Sequence, residues 1–210
     1  MTIKTFVVNP FQQNTYLVYD ETKEAILIDC GCFSIQEKND LIGYIESNGL
    51  SLKRLINTHL HLDHQFGNRF ITEKFSLQPE ANQLDEFLLK SIPSQASNFG
   101  MIAEEGAQLG AYLEEGDMIE FGNTTLKVLH VPGHSPGHVV FYSEKEGVLF
   151  AGDVIFRGAI GRTDLPKGDY TTLIKSITEK LLVLPENTQI YSGHGPSTTI
   201  GFEKQNNPHL

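Results

Sequence analysis

The sequence predicts an α+β sandwich, two β-sheets packed face to face with helices outside. Two observations predict it. Each half of the chain runs strands first and then a helix, and at 210 residues the chain can bury one sizeable core as a single domain, 1–210. A third observation concerns what the strands carry: four apolar runs stop at a histidine or an aspartate.

In the first half, "KTFVV", "NTYLVYD" and "EAILIDCG" read as strands joined by turns. Residues 36–48 read as a helix, because Leu41, Ile42 and Ile45 share one face and Gly49 stops it. "LKRLINT" is a strand that feeds "HLHLDH", and "FGNRFITEKF" is a short helix behind it. Residues 80–112 contain two helix-like stretches, "LDEFLLKSI" and "GMIAEEGAQLGAYL", and form a candidate helical lid or insertion, or a plain packing pair. In the second half, "TTLKVLHV", "HVVFYS" and "GVLFAGD" are strands before a helix at 170–183. Asp169 is placed to cap that helix, with Leu173, Ile174, Ile177, Leu181 and Leu182 as its apolar stripe. "TQIYSGHG" is the last strand.

Composition excludes several classes. Apolar content is 40% and charged content 20%, with a net charge of −10. That balance disfavours a nucleic-acid partner, which needs a basic face. No apolar stretch is long enough for a membrane span, and the N-terminus lacks the progression of a secretory signal, so a cytoplasmic protein is expected. Cys30 and Cys32 frame a single glycine, too tight for an unstrained disulfide, and read as small buried side chains after a strand. Between Arg157 and Lys167 lies a local basic segment, which either holds an anionic small molecule or is a solvated loop.

The chemistry concentrates where the strands stop. "RLIN" runs into His59-x-His61-x-Asp63-His64, "LKVLHV" into His134, "VLFA" into Asp153 and "TQIYS" into His194. Side chains at strand ends stand on a rigid scaffold, while the adjoining loops carry function. Five histidines and two aspartates exceed the four ligands that one zinc prefers, and suit two metals sharing a bridge. Imidazole and carboxylate without thiolate fit zinc, manganese or iron alike; two divalent ions, zinc first, are the expected cofactors. His130 and His138, which flank His134, are candidates for orienting a ligand, and His209 for solvent.

"THLHLDH", "PGHSPGH", "AGD" and "SGHG" together resemble the metallo-β-lactamase fold, from "AILID" to the C-terminus. The resemblance implies an αββα sandwich with the site at one edge of the sheets. It implies one metal on His59, His61 and His134, a second on Asp63, His64 and His194, and Asp153 between them. Asp29 would be a structural position, although Cys30-Gly31 stands where the family usually has Pro-Gly. An aspartate at 153 beside His64 argues against β-lactamase activity. "GDVIFRGAIGRTDLPKGDY" and the C-terminal "GHGPSTTIGFEKQNNPHL" resemble short glyoxalase II-type hydrolases. About 16 residues follow His194, too few for the helical domain with which longer relatives hold glutathione.

The expected reaction is therefore hydrolysis of a small anionic thioester, with Asp63 as the catalytic residue that orients the attacking water. Arg162 is the first candidate for a substrate carboxylate, with Arg157 and Tyr170 behind it and pairing to Asp164 as the bland alternative. "GRTD" also resembles the persulfide dioxygenases of this fold, which would use one iron on His59, His134 and Asp153. A lactonase is a second rival, and an inert metal-binding module a third. The sequence leaves the assembly state open.

Overall fold

The computed structural model describes residues 1–210 and has four layers, helices on either side of two stacked sheets. The first sheet holds β1 (Thr2–Val8), β2 (Gln13–Tyr19), β3 (Glu24–Ile28), β4 (Ser51–Ile56), β5 (Pro79–Ala81) and β6 (Ala111–Tyr112), in that spatial order. β1, β2 and β3 are antiparallel, and the steps onward to β6 are parallel. The second sheet runs β14 (Thr198–Thr199), β13 (Gln189–Ser192), β10 (Val148–Gly152), β9 (Val139–Ser143), β8 (Thr124–His130) and β7 (Met118–Phe121). Only its β10–β13 pair is parallel. A separate hairpin, β11 (Ile155–Phe156) with β12 (Ala159–Ile160), follows β10.

The central strands are apolar at nearly every position because both of their faces are covered. Tyr16, Val18, Ile26 and Ile28 point between the sheets and meet Phe121, Val139, Phe141 and Phe150 from the second. Their neighbours in sequence point the other way: Leu17, Ala25 and Leu27 pack under α1 (Ile35–Ser47) and α2 (Asn68–Phe75). On the far side Val140, Leu149 and Ile190 pack under α4 (Tyr170–Ser176) and α5 (Ile200–Asn206). Each fully buried side chain of this size contributes roughly 1.5–3 kcal/mol from removal of apolar surface from water. No helix is long and apolar enough to cross a membrane.

The helix expected over 36–48 forms as α1, with Leu41, Ile42 and Ile45 inward. Its start carries a signal that the apolar spacing does not report. Ser34 Oγ accepts from the Glu37 N–H while Glu37 accepts from the Ser34 N–H, a reciprocal cap. Ser34→Ala is expected to cost about 1 kcal/mol, since the Glu37 half survives, lowering the thermal midpoint by about 3 °C in a melt. The capping role of Asp169 is also formed: its side chain accepts from the Thr172 N–H at 2.7 Å. α4 then continues as one wider turn, Ile177–Leu181, with Leu173, Ile177 and Leu181 buried and Ile174 and Leu182 half-buried. Cys30 and Cys32 are buried and unbridged.

Residues 80–112 depart from the expected helix pair. Gln83–Ser91 winds as 3-10 turns into α3 (Ile92–Asn98), but residues 101–109 form no helix. Their backbone groups bond to neighbouring segments instead: Gly106 N–H donates to the Leu89 carbonyl and Gly110 N–H to that of Pro79. A Cβ at Gly106 would strike the Gln65 and Leu89 side chains, and Ile102 is 94% exposed while Met101, Ala103, Ala107 and Leu109 turn inward. The segment lies behind the histidine-bearing loop. Leu60 packs on Ala81, Leu88 and Leu89, and Leu62 on Ile92 and Ala96.

Candidate metal centre

The seven donors read from the sequence meet at one edge of the two sheets. His59, His61, Asp63 and His64 lie on the turn after β4, His134 on the turn after β8, Asp153 at the end of β10 and His194 just past β13. β4 and β10 belong to different sheets, so stacking the sheets brings their ends together. All are buried but Asp153 and His194, which are half-buried and face the opening.

They fall into two groups. Donor atoms of His59, His61 and His134 lie within 4.8 Å of one another, as do those of Asp63, His64 and His194. Asp153 stands between: Oδ1 is 3.3 Å from His64 Nε2, and Oδ2 is 3.7 Å from His134 Nε2 and 3.6 Å from His194 Nε2. Asp63 Oδ2 lies 3.1 Å from His194 Nε2. Asp29, His59 and His64 lie equally close together, but both oxygens of Asp29 are already engaged as acceptors, so that trio is not a third site.

The outward ring nitrogens explain which atom faces inward. Asp29 Oδ2 accepts from Thr58 Oγ1 at 2.7 Å, so Thr58 Oγ1 is left to accept from His59 Nδ1, 3.0 Å away. His64 Nδ1 donates to Asp29 at 3.0 Å, His134 Nδ1 to the Arg162 carbonyl at 2.7 Å and His194 Nδ1 to the Phe11 carbonyl at 3.1 Å. In the neutral ring each such bond leaves Nε2 with a free lone pair aimed into the cluster. His61 is turned the other way, its Nδ1 facing His134 Nε2 at 2.9 Å.

The centre fits a pair of cations on its own chemistry. His59 Nε2, His64 Nε2 and Asp153 Oδ1 are buried with no hydrogen-bond partner, a costly arrangement that a cation relieves. Burial, reinforced by neighbouring imidazoles, pushes His59 well below the usual histidine range and His61 down to about 3, so both are neutral bases. Burial opposes ionisation of Asp153, but His64, His134 and His194 around it hold its carboxyl well below the usual range. Burial likewise opposes charge on His64, yet Asp153, Asp63 and Asp29 outweigh it and raise His64. A carboxylate-and-imidazole cluster with charges this tightly arranged marks a functional site. Gly193 belongs to the same design, since a Cβ there would run into Asp153 Oδ1 and the His64 ring.

An open cleft of about 520 Å³ leads to His134, Asp153 and His194, a volume suited to a small molecule. Phe156, Arg157 and Arg162 line it. Arg162 is clamped by Asp164, with two bonds of 2.7 Å, both side chains exposed. Arg157 lies over the Phe202 ring at 4.6 Å. Tyr170, half exposed at the start of α4, is not among the residues lining the cleft.

Several residues that hold the centre escaped the sequence reading. Asn9 Nδ2 donates to the Asp63 carbonyl at 2.9 Å, and Asn14 Nδ2 to the Ser192 and Gly195 carbonyls at 3.0 and 2.9 Å. Gln13, Asn14 and Thr15 are buried polar residues in an otherwise apolar strand, and that anomaly was their visible signal. Of the flanking histidines, His138 stacks on His59 at 4.6 Å and its Nε2 accepts from the Asp153 N–H at 3.1 Å. His130 Nε2 donates to the Pro136 carbonyl, and His209 is exposed.

Comparison with known proteins agrees with this geometry. The sequence profile of the Metallo-beta-lactamase superfamily matches residues 8–194. The chain is 42% identical to the hydroxyacylglutathione hydrolase GloC of Haemophilus influenzae, over 100% of this chain and 98% of that one. Among solved structures, BLEG-1 B3 metallo-beta-lactamase superposes with a TM-score of 0.91 at 37% identity, over 100% of this chain and 99% of that one. TTHA1623 in a di-iron-bound form superposes with a TM-score of 0.88, also at 37% identity, over 100% of both chains.

Proposed function

The chain belongs to the metallo-beta-lactamase superfamily of metal-dependent hydrolases, and from that premise we propose that it hydrolyses thioesters of the S-2-hydroxyacylglutathione type. One observation carries the proposal: two trios of donors flank a shared carboxylate, with unpaired lone pairs turned inward. The 42% identity to a hydroxyacylglutathione hydrolase supports the substrate class.

His59, His61 and His134 would hold one cation, Asp63, His64 and His194 the other, and Asp153 both. When bound, two divalent cations acidify water and polarise the carbonyl under attack. Zinc is the first candidate; the di-iron form of TTHA1623 makes iron the alternative to test. Asp63 directs the attacking water through its carboxylate, and Asn9 anchors the residue by donating to its backbone carbonyl. A thiolate leaves readily, so the site needs no strong general acid, and outside the proposed metal ligands no candidate acid lines the cleft. An anionic substrate meets Arg157 more readily than Arg162, whose guanidinium Asp164 already occupies. The closed ion pair demotes Arg162 from first choice, and Tyr170 stands outside the lining.

The test is metal analysis of protein purified without added metal, with parallel assays on S-lactoylglutathione, a homoserine lactone, a glutathione persulfide and a chromogenic cephalosporin. Two metals per chain with preferred thioester cleavage support the proposal. One iron with sulfite production overturns it for a dioxygenase, and faster lactone or lactam opening overturns the substrate class.

A further inference from the structure

Asp85 is a fully buried carboxylate with no cation beside it, on the 3-10 turns after β5. It uses its acceptors on the loop that carries His134. Ser135 Oγ donates to Oδ2 at 2.6 Å and Gly137 N–H to Oδ1 at 2.7 Å. The approach is so close that a Cβ at Gly137 would collide with the carboxyl group. The same turns also grip the other loop. Leu60, between His59 and His61, is buried against Leu88 and Leu89, and its backbone lies against Asp85; burial raises that carboxyl above the usual range, and the bonds from Ser135, Gly137 and Leu60 oppose the rise. Gln65 Nε2 donates to the Leu60 carbonyl from the opposite side.

Burying an ionised carboxylate is costly, and a packed apolar side chain would bridge the two loops with less penalty. What the carboxylate supplies is direction: two charge-assisted bonds fix where Ser135 and Gly137 sit relative to Leu60. The trio His59, His61 and His134 spans these two loops. The other trio hangs elsewhere, on Asn9 behind Asp63, Asp29 behind His64 and the Phe11 carbonyl behind His194.

We infer that Asp85 is a positioning residue for one of the two metal positions, setting His134 against His59 and His61 and leaving the Asp63–His64–His194 position untouched. This rests on the proposed two-metal site.

The experiment is titration of the metal-free, full-length chain with Co²⁺ and Zn²⁺ against a chromogenic chelator, with visible spectra of the Co²⁺ forms. Wild type is expected to take two ions. Asp85→Ala is expected to keep one ion at wild-type affinity and to bind the other at least about tenfold more weakly, with a changed Co²⁺ spectrum. Asp85→Asn is expected to restore affinity to within about threefold, because the amide oxygen still accepts from Gly137 and the Ser135 hydroxyl accepts from the amide. Location is tested by double variants. Added to His194→Ala, Asp85→Ala should again weaken the remaining ion about tenfold, whereas added to His61→Ala it should change little. Equal weakening of both positions, or wild-type binding by Asp85→Ala, overturns the inference. Should Asp85→Ala fail to fold, Ser135→Ala, which removes one of the two bonds, is read in the same way. A wild-type chain that takes fewer than two ions refutes the two-metal reading itself, a result distinct from failure of the Asp85 role.

Discussion

Asp153→Ala is expected to lower kcat/KM for S-lactoylglutathione about a thousandfold, equivalent to roughly 4 kcal/mol of lost transition-state stabilisation. The size follows from the residue's position. One carboxylate faces histidines of both trios, with Oδ1 against His64 and Oδ2 against His134 and His194. Asp29 also lies near one histidine of each trio, but its oxygens are already engaged by Thr58 and His64. On the proposed two-metal reading, losing this donor removes a ligand from each position, so metal content should fall from two per chain towards one. The fold should survive, because Asp153 packs against the open cleft rather than in the core between the sheets. Metal content and far-ultraviolet circular dichroism, measured on the sample used for kinetics, separate loss of chemistry from loss of fold. Full turnover with two bound metals would remove Asp153 from the bridging role.

Asp29→Ala is expected to destabilise the metal-free chain by about 3–5 kcal/mol, lowering its thermal midpoint by roughly 10 °C. Asp29 is 1% exposed and accepts from the Thr58 N–H and Thr58 Oγ1 at 2.7 Å and from His64 Nδ1 at 3.0 Å. Alanine leaves the Thr58 N–H buried without an acceptor and releases the rings of His59 and His64, both oriented through this carboxylate. Asp29 also has φ +54°, a left-handed conformation that aspartate tolerates better than alanine. Calorimetry with a chelator present isolates this loss from metal linkage. A midpoint shift under 3 °C would show that the three bonds contribute little net stability.

Much of the architecture was legible because burial on both faces of a sheet leaves a local trace. The runs from Tyr16 to Tyr19, Ala25 to Ile28 and Val139 to Tyr142 are apolar without alternation, as strands covered by both a helix and a second sheet must be. The stretch 100–113 misled for the complementary reason. Its apolar residues are spaced for a helix, but Gly106 is required for close approach to Gln65 and Leu89, and spacing does not report close approach.

The sequence by itself picked out the candidate donors: four strand ends each run into a residue able to bind a metal within a few positions. It also determined the layered class, since strand and helix periods are local properties. Only the tertiary structure decided that His61 faces His134, and it chose between the two readings of Arg162 by closing Asp164 on it. It alone brought Asn9, Asp29 and Asp85 behind the loops they hold. The physical reason is that a buried polar group takes whichever partner the packed backbones bring within about 3 Å. Asp85 and Gly137 lie 52 positions apart, a pairing that no local pattern of charge or hydropathy records.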